Sequence, residues 1–345
     1  MTFIQDNLWF NDDRNDDKIC MSSRVRFARN FRNFNFVTTL NETKKNELIN
    51  RVKDLFFGCD KSLHDLSCYD FLKTRSNRLY TMFENYSVSM DFLHSTSPRC
   101  LLLSGDASSA IMINEEDHLR IQCYTIGNQI KNAFIKANFL DDFIDKKLDY
   151  AFDNKLGFLT TCPTNLGTGL RASYMFHLPM LERSPVFHDL LPMLSKLGMT
   201  IRGLHGEGSD VYGSIYQISN QTTLGISESE IIENLESFAK QIVEQENQLR
   251  IYDMNLNRTA IEDKIFRSFG ILSHCRTIEF REAMELISNI KLARFLGVDI
   301  PKFKSSLHNI IIKIQPGHLN LMAGKVLDKS ECLRYRADVI RQEIK

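Results

Sequence analysis

Residues 109–123 read SAIMINEEDHLRIQC, and this stretch decides the class of fold. Two apolar runs flank a polar turn at residues 114–117, which is the pattern of a β-hairpin with antiparallel strands. Further strands are predicted outward from it, at LYTMF (79–83), LLL (101–103), FLTTC (158–162), TIRGL (200–204) and YGSIYQISN (212–220). The centre of the chain is therefore expected to be an antiparallel sheet.

Helical patterns lie on both sides of these strands. Residues 41–57, 227–252 and 281–297 carry apolar side chains three and four positions apart, with Ser227 or Ser229 as an N-cap and Gly297 as a stop. A shorter helix is predicted to open near Leu170. The plan is an α+β body to about residue 255, a helical C-terminal part, and a loose polar lead-in over residues 1–19.

Composition and charge exclude several classes of protein. The 43 basic and 43 acidic residues cancel, which leaves no general positive field for nucleic acid or an anionic membrane. Eight cysteines are scattered without a Cys-x-x-Cys pair, so reduced thiols are expected instead of a disulfide framework or zinc site. No apolar run approaches the ~18 residues of a membrane span, and no signal peptide is evident. A cytoplasmic location is predicted.

Arginines recur in four segments: SSRVRFAR (22–29), NEEDHLR (114–120), CPTNLGTGLRAS (162–173) and RGLHGEGSD (202–210). Each alone has an ordinary explanation: a solvated strand edge, a hydrophilic turn, a core thiol, a surface loop. On a strand, however, Arg24 and Arg26 point to one face, where two guanidinium groups repel unless an anion lies between them. Five of the arginines in these segments, with acids and one cysteine interleaved, predict a site for a polyphosphate and a cation together.

Other nucleotide motifs are weaker. Gly167-x-Gly169-x-x-Ala172 mimics a dinucleotide fingerprint, but Pro163 precedes the glycines and no series of βαβ units surrounds them. The chain has no Walker loop and no His-Arg-Asp kinase loop. Phosphates would therefore be held by arginine side chains.

The four segments, with YQISNQTTLG (216–225) and EAMELIS (282–288), resemble the ATP:guanidino phosphotransferases (phosphagen kinases), and within them the bacterial protein arginine kinases, over about residues 20–300. The resemblance implies an α+β, phosphagen-kinase-like (glutamine-synthetase-like) antiparallel sheet flanked by helices. It also implies a catalytic domain over residues 20–255 and a helical C-terminal domain over residues 256–345, for dimerisation and reading of phosphoarginine.

Site residues follow from this resemblance. The ATP phosphates would be held by Arg24, Arg26, Arg120, Arg171 and Arg202. Further nucleotide contacts would be Ser22, Ser23, Val25, His94, Ala172, Ser173, Tyr174, Met175, Gly203, Leu204, His205, Gly206 and Glu207. Glu116 would hold and deprotonate the target guanidinium, Cys162 would sit beside it as a thiolate, and Glu207 and Asp210 would close over the acceptor. Mg²⁺ would bridge the phosphates.

The resemblance implies that ATP and a protein arginine give ADP and protein phosphoarginine. Kinases for free guanidino compounds carry a helical domain before the first arginine segment. Here that segment begins at Ser22, so a protein acceptor is favoured. Implied substrates and partners are heat-shock repressors, misfolded proteins for a Clp protease, a zinc-binding activator and a second copy of the chain. The alternatives are a kinase for free arginine and a non-catalytic phosphoarginine-binding adaptor.

Three departures from the family pattern are expected to matter. His205 stands where phosphagen kinases carry a phosphate-binding arginine, and Asp210 is one methylene shorter than the usual glutamate. The allosteric motif Arg-Asp-x-x-Arg-Ala is reduced at residues 332–337 (CLRYRA) to Arg336 and Ala337. Regulation by phosphoarginine is therefore left open.

Overall fold

The sheet at the centre of the molecule is antiparallel throughout. The structure, a computed structural model, describes residues 8–57, 65–72, 76–203 and 211–344. In these residues an eight-stranded sheet has the order β2-β3-β4-β5-β1-β8-β10-β9. Its strands are β1 (Cys20–Arg29), β2 (Leu66–Asp70), β3 (Cys100–Ser104), β4 (Ser109–Ile113), β5 (Leu119–Ile126), β8 (Leu170–His177), β9 (Met199–Arg202) and β10 (Ile215–Asn220). A separate short pair consists of β6 (Phe152–Asp153) and β7 (Gly157–Phe158).

Helices cover both faces of this sheet. They are α1 (Glu42–Phe57), α2 (Ser76–Glu84), α3 (Met90–His94), α4 (Ile130–Asp145), α5 (Val186–Lys196), α6 (Glu228–His274), α7 (Phe280–Leu296), α8 (Leu307–Lys313), α9 (Pro316–Ala323) and α10 (Lys329–Glu343). Among the described residues, no helix combines the length and hydropathy of a membrane span.

One face of the sheet forms the main core with α1, α4 and the first part of α6. Alternate residues of each central strand are apolar and fully buried there, as Val25, Phe27, Ile121 and Ala172 show. This alternation is what makes these segments strands, because successive side chains of a strand point to opposite faces. The residues between them therefore face the other side.

The opposite face is covered at two places and open between them. Helices α2 and α3 pack on β3 and β4. The C-terminal helices and residues 8–10 pack around Met21, Tyr124 and Met175. The predicted α+β sheet with a helical C-terminal region is confirmed.

The long helix α6 begins and bends at identifiable residues. Ser227 and Glu230 form a reciprocal capping box at its first turn, as the sequence predicts for Ser227. Asn257 has non-helical dihedral angles (φ −124°, ψ 30°) and produces a kink. Helix α7 ends at Gly297, whose φ of 68° is the left-handed conformation expected of a glycine stop.

Three predictions of local structure are wrong. Residues 79–83 lie in α2, because Leu79 and Met82 are buried three positions apart and Tyr80 between them is exposed, a helical period. Leu170 begins strand β8 and not a helix. Within residues 158–162 only Phe158 belongs to a strand, since the backbone N–H of Thr161 binds the Asp117 carboxylate and no neighbouring strand.

The lead-in is also not loose over its described part, residues 8–19. Phe10 is fully buried, and Trp9 stacks on Tyr124 at 4.7 Å between ring centroids. The buried amine of Lys291 donates to the carbonyl of Asp16 at 2.8 Å. The aromatic side chains outweigh the polar composition that predicted a free segment.

Candidate active site

Five arginines share the open face of the sheet, because strand register places them there. Arg26 lies directly opposite Arg171, and Arg24 lies between Tyr124 and Ser173. Residues opposite one another in a sheet point to the same face. Arg120 lies opposite Ala28, and Arg202 lies opposite Gln217, which is itself opposite Met175. Arg24, Arg26, Arg120, Arg171 and Arg202 therefore face one side, and their contact with ATP phosphates stays a prediction.

Like charges are concentrated on this face. Burial, followed by the charges of Arg24, Arg120 and Arg171, lowers the pKa of Arg26 well below its usual range. Arg24 donates to the Ser173 hydroxyl at 3.3 Å and to the Tyr124 hydroxyl at 3.2 Å, both neutral groups. Within the described residues neither Arg24 nor Arg26 forms an ion pair. An anionic ligand would relieve this repulsion.

A pocket opens beside Arg24. It is a narrow cleft of about 10 Å³, which is room for roughly one water molecule. Its lining consists of Ser22, Arg24, Tyr86, Tyr124, Ser173, Met175 and Gln217. Three of the predicted nucleotide contacts besides Arg24 (Ser22, Ser173 and Met175) thus lie together at this end of the arginine face.

Acids lie at the other end of the face, around Arg120. Its guanidinium contacts Glu115 at 2.7 Å and Glu116 at 3.4 Å. The Glu115 carboxylate is 1% exposed and also accepts from the Ser89 hydroxyl at 2.5 Å and the Glu116 backbone N–H at 2.9 Å. Glu115 is therefore committed to holding the turn and Arg120, whereas the Glu116 side chain is 37% exposed.

Glu116 and Cys162 are neighbours. Burial raises the pKa of Glu116, and the charge of Arg120 and the nearby Cys162 side chain partly oppose this shift. The Cys162 Sγ lies 3.0 Å from the Thr164 Oγ1 and is partly exposed. A carboxylate with a raised pKa beside an open surface is suited to accept a proton from a substrate. The two side chains lie near each other, and the catalytic role of each and the thiolate form of Cys162 stay predictions.

Sequence reasoning missed the groups that hold this corner together. The Asp117 Oδ1 accepts from Asn30 Nδ2 and from the Thr161 backbone N–H, both at 2.6 Å. Asn30 in turn accepts from the His118 backbone N–H at 2.9 Å. These contacts join the end of β1, the acidic turn and the segment before Cys162. No signal in the sequence separates Asp117 from the two glutamates beside it.

Four residues predicted as nucleotide contacts have side chains that face away from the arginines. Val25, Ala172 and Tyr174 are buried in the helix-covered core, on the face opposite the arginines. Ser23 is fully buried, donating to the Gly127 carbonyl at 2.6 Å and accepting from the Gln129 backbone N–H at 2.9 Å. The period of two that exposes Arg24 and Arg26 directs these side chains away from a ligand on the arginine face.

Other predicted residues stand apart. His94 is exposed at the end of α3, with its ring 6.4 Å from Tyr80, and its nucleotide contact stays a prediction. Gly203 follows β9 directly. The predictions for Leu204, His205, Gly206, Glu207 and Asp210 lie outside the described residues.

Arg336 and Ala337, predicted for phosphoarginine reading, are buried. The Arg336 guanidinium donates to the Ile314 carbonyl at 2.9 Å and the Ile278 carbonyl at 3.0 Å. It thereby supplies hydrogen-bond donors to two buried main-chain carbonyls. Ala337 is fully enclosed in the C-terminal core. This placement assigns Arg336 a structural task and gives no support to a ligand contact.

Comparison with known families finds two matches that together cover most of the chain. Residues 47–249 match the family described as ATP:guanido phosphotransferase, C-terminal catalytic domain. Residues 258–345 match the family described as Protein-arginine kinase McsB C-terminal domain.

Similar proteins are found among characterised sequences. The chain is 40% identical over 343 residues to the protein-arginine kinase of Halalkalibacterium halodurans, covering 98% of this chain and 95% of that protein. It is 37% identical over 347 residues to the protein-arginine kinase of Bacillus subtilis, covering 99% and 95%.

Similar folds are found among solved structures. The duplicated taurocyamine kinase from Schistosoma mansoni with bound transition state analog components aligns with a TM-score of 0.61 and 26% identity over 68% of this chain and 34% of that one. The match therefore spans about a third of that duplicated chain. Lombricine kinase aligns with a TM-score of 0.59 and 24% identity, over 69% and 68% of the two chains.

Proposed function

The chain belongs to the ATP:guanido phosphotransferase family, and on this premise we propose that it transfers the γ-phosphoryl group of ATP to arginine side chains of proteins. The observation that carries the proposal is the row of five arginines beside Glu116 on one sheet face. The match of residues 258–345 to a protein-arginine kinase domain, and the relatives of that name, favour a protein acceptor.

The arginines would bind the triphosphate. A guanidinium group forks onto phosphate oxygens and stays charged, and phosphoryl transfer depends chiefly on positioning and charge stabilisation. Arg24 would contact the part of the nucleotide remote from Glu116, because Arg24 and Glu116 lie at opposite ends of the arginine face. The γ-phosphoryl group would then lie towards Arg120.

Glu116 would prepare the acceptor. A protonated guanidinium is a poor nucleophile, so a carboxylate must orient it and take a proton as it attacks. The nitrogen–phosphorus bond forms as the bond to the ADP oxygen breaks, and the proton passes to a Glu116 oxygen. Cys162, which lies near Glu116, would contact the acceptor as well. Glu207 and Asp210 complete the proposed site, and His205 would make a weaker phosphate contact than an arginine.

Magnesium belongs to the proposal through the nucleotide. The ion would neutralise and bridge the phosphate oxygens. No cluster of three or more His, Cys, Asp or Glu side chains in the described ranges forms a dedicated metal cage. This fits an ion that keeps most of its ligands from water and phosphate, as Mg²⁺ commonly does.

The domain division is proposed at residues 255 and 256. The kink at Asn257 and the gap between the two family matches, which end at residue 249 and begin at residue 258, support it. A homodimer formed through the C-terminal part, a zinc-binding activator and delivery to a Clp protease are further predictions from the resemblance, and a cytoplasmic location is a prediction from the sequence composition.

The direct test incubates the purified protein with labelled ATP and a protein acceptor such as casein. The expected product carries label that is lost in acid and kept in base, as an N–P bond requires. Acid-stable label would contradict the proposal.

A competition experiment separates the protein acceptor from free arginine. Free arginine in large excess should leave the rate of casein labelling almost unchanged. A label transferred mainly to free arginine would instead support the rival activity, and nucleotide binding without any transfer would support an adaptor.

A further inference from the structure

Two cysteines outside the site lie in contact on neighbouring strands. Cys68 is on β2 and Cys100 is on β3, and their Sγ atoms are 3.0 Å apart. Cys68 is opposite Leu102 and Cys100 is opposite Asp70, so the two are diagonal neighbours on one face of the sheet. Both are free thiols, and neither belongs to the arginine face.

The distance is within reach of a covalent bond. A disulfide needs about 2.05 Å between sulfurs, so an approach of roughly 1 Å suffices. β2 is a five-residue strand at the edge of the sheet, hydrogen-bonded to β3 on one side. An edge strand can shift by this amount without disturbing a second neighbour, which a central strand cannot do.

The two thiols differ in access, which assigns them different tasks. Cys68 is partly exposed, whereas Cys100 is 2% exposed in the main core. The hydrogen bond from Cys100 and the charge of Lys53 on α1 lower the pKa of Cys68 to about 7, against burial and the charge of Asp70. The same pairing, with burial, raises the pKa of Cys100. Cys68 is thus suited to react first, and Cys100 is suited to follow.

We propose that Cys68 and Cys100 form a reversible oxidation site whose co-substrate is a hydroperoxide. The Cys68 thiolate attacks a peroxide oxygen, the O–O bond breaks, and Cys68 becomes a sulfenic acid; with hydrogen peroxide the other oxygen leaves as hydroxide, which takes the proton that the Cys68 thiol had released and becomes one water. The Cys100 sulfur then attacks the Cys68 sulfur, and the hydroxyl group leaves as a second water with the Cys100 proton. Two thiols lose two electrons in total, and one hydroperoxide gains them. A dithiol restores the reduced pair by exchange.

The bond would constrain a segment that supports the kinase site. It closes the chain between residues 68 and 100, which contains α2, α3 and Ser89. Ser89 donates to Glu115, and Glu115 holds Arg120. Cys100 also pairs with Ile113, the last residue of β4 before the acidic turn. Oxidation would therefore restrict the movement of Ser89 and of the end of β4, which support the acidic turn.

The experiment uses the full chain, reduced and then treated with hydrogen peroxide, and maps its peptides by mass spectrometry without reduction. The expected product is one linked pair of peptides containing Cys68 and Cys100, about 2 Da lighter than their sum because two hydrogens are lost. Dithiothreitol should reverse it. The same linkage should form in Cys123→Ser, since Cys123 is a buried core thiol on β5.

Three results would overturn the proposal. The first is that other cysteines oxidise and no peptide linked through Cys68 and Cys100 forms. The second is that Cys68 links mainly to another cysteine, and the third is that Cys68 is oxidised further to a sulfinic acid. The wild-type chain decides these outcomes without any variant. Cys68→Ser, at a partly exposed position, should remove the linkage and leave the circular dichroism spectrum unchanged.

Discussion

Glu116 and Glu115 are adjacent in the chain, yet their surroundings give them different tasks. Glu115 is buried and bound by Arg120, Ser89 and the Glu116 backbone. Glu116 keeps more than a third of its side chain exposed, beside Cys162. A carboxylate whose oxygens are already occupied cannot bind a substrate, so Glu116 is the one available for the proposed proton transfer.

Replacing Glu116 by Gln should abolish most phosphoarginine formation, because the amide cannot accept the proton. We expect a loss of about 10²–10⁴-fold in kcat, the usual contribution of a general base. Nucleotide affinity, measured by titration calorimetry, should change little. Glu262→Gln on an exposed part of α6 is the control. A Glu116→Gln enzyme with normal turnover would remove this residue from the mechanism.

The rate should also depend on pH through the same carboxylate. Burial raises the pKa of Glu116 above the ordinary value of 4.5, so the active carboxylate is lost while an exposed glutamate is still ionised. We therefore expect kcat/KM to fall as the pH drops through this raised pKa, with a midpoint above 4.5. Glu116→Asp should move the midpoint. If kcat/KM stayed constant as the pH fell to 4.5, the pKa of the base would not be raised by burial.

Cys162→Ser should lower the turnover without lowering the Tm. Cys162 is partly exposed and lies near Glu116, so the change alters the site and not the core. Cys123→Ser is the matched control, because it places a hydroxyl in a fully buried position of β5 and should lower the Tm. If Cys162→Ser destabilised the protein and left turnover per folded molecule unchanged, Cys162 would be a structural thiol.

At the scale of elements, the turn before β10 fixes α7 against the sheet. Gly213 has a φ of +60°. A Cβ at this position would lie 2.6 Å from the Met284 carbonyl oxygen. The main chain of the turn can approach α7 so closely because the residue has no side chain. This contact connects the end of the arginine-bearing sheet with the C-terminal helices.

Gly213→Ala should therefore destabilise the protein. The left-handed backbone and the collision with a main-chain atom together should cost about 1–3 kcal/mol of the free energy of unfolding. Gly270→Ala in α6 is the control, since nothing lies within 4 Å of its added Cβ and alanine favours a helix. Urea denaturation of both variants makes the comparison. Equal stabilities would mean that the turn moves freely away from α7.

Across the whole molecule, a buried polar network joins the catalytic sheet to the C-terminal helices. Glu246 and Arg250 of α6 are both fully buried and pair at 2.7 Å. Glu246 accepts from the Leu181 backbone N–H at 2.7 Å. Arg250 donates to the carbonyl of His177, and the ring of His177 contacts the Ser288 hydroxyl of α7 at 2.7 Å. Strand β8, α6 and α7 thus share one set of hydrogen bonds.

Arg250→Met should lower the free energy of unfolding by about 3–5 kcal/mol, because it leaves the Glu246 carboxylate buried without its partner. Arg258→Met breaks an exposed pair of the same spacing on the same helix, and it should cost less than about 1 kcal/mol. Chemical denaturation of the two variants gives both values. Similar losses would show that water reaches the buried pair.

The sequence predicted the strands whose side chains alternate and missed elements where that signal is weak. Residues 110–124 were assigned correctly because two apolar-rich runs flank an obvious polar turn. Residues 79–83 are too few to separate a period of two from one of 3.6, and α2 was taken for a strand. Residues 8–10 were taken as loose because composition does not show that Trp9 finds Tyr124.

By itself the sequence determined the family and the identity of the arginines, since motifs and alternation are local properties of the chain. Tertiary structure alone decided which strands are neighbours and in which register, and hence that Arg24, Arg26, Arg120, Arg171 and Arg202 meet on one face. It also decided that Glu115 is occupied and Glu116 is open. The physical reason is that contact between distant residues depends on strand pairing and burial, which no single segment encodes.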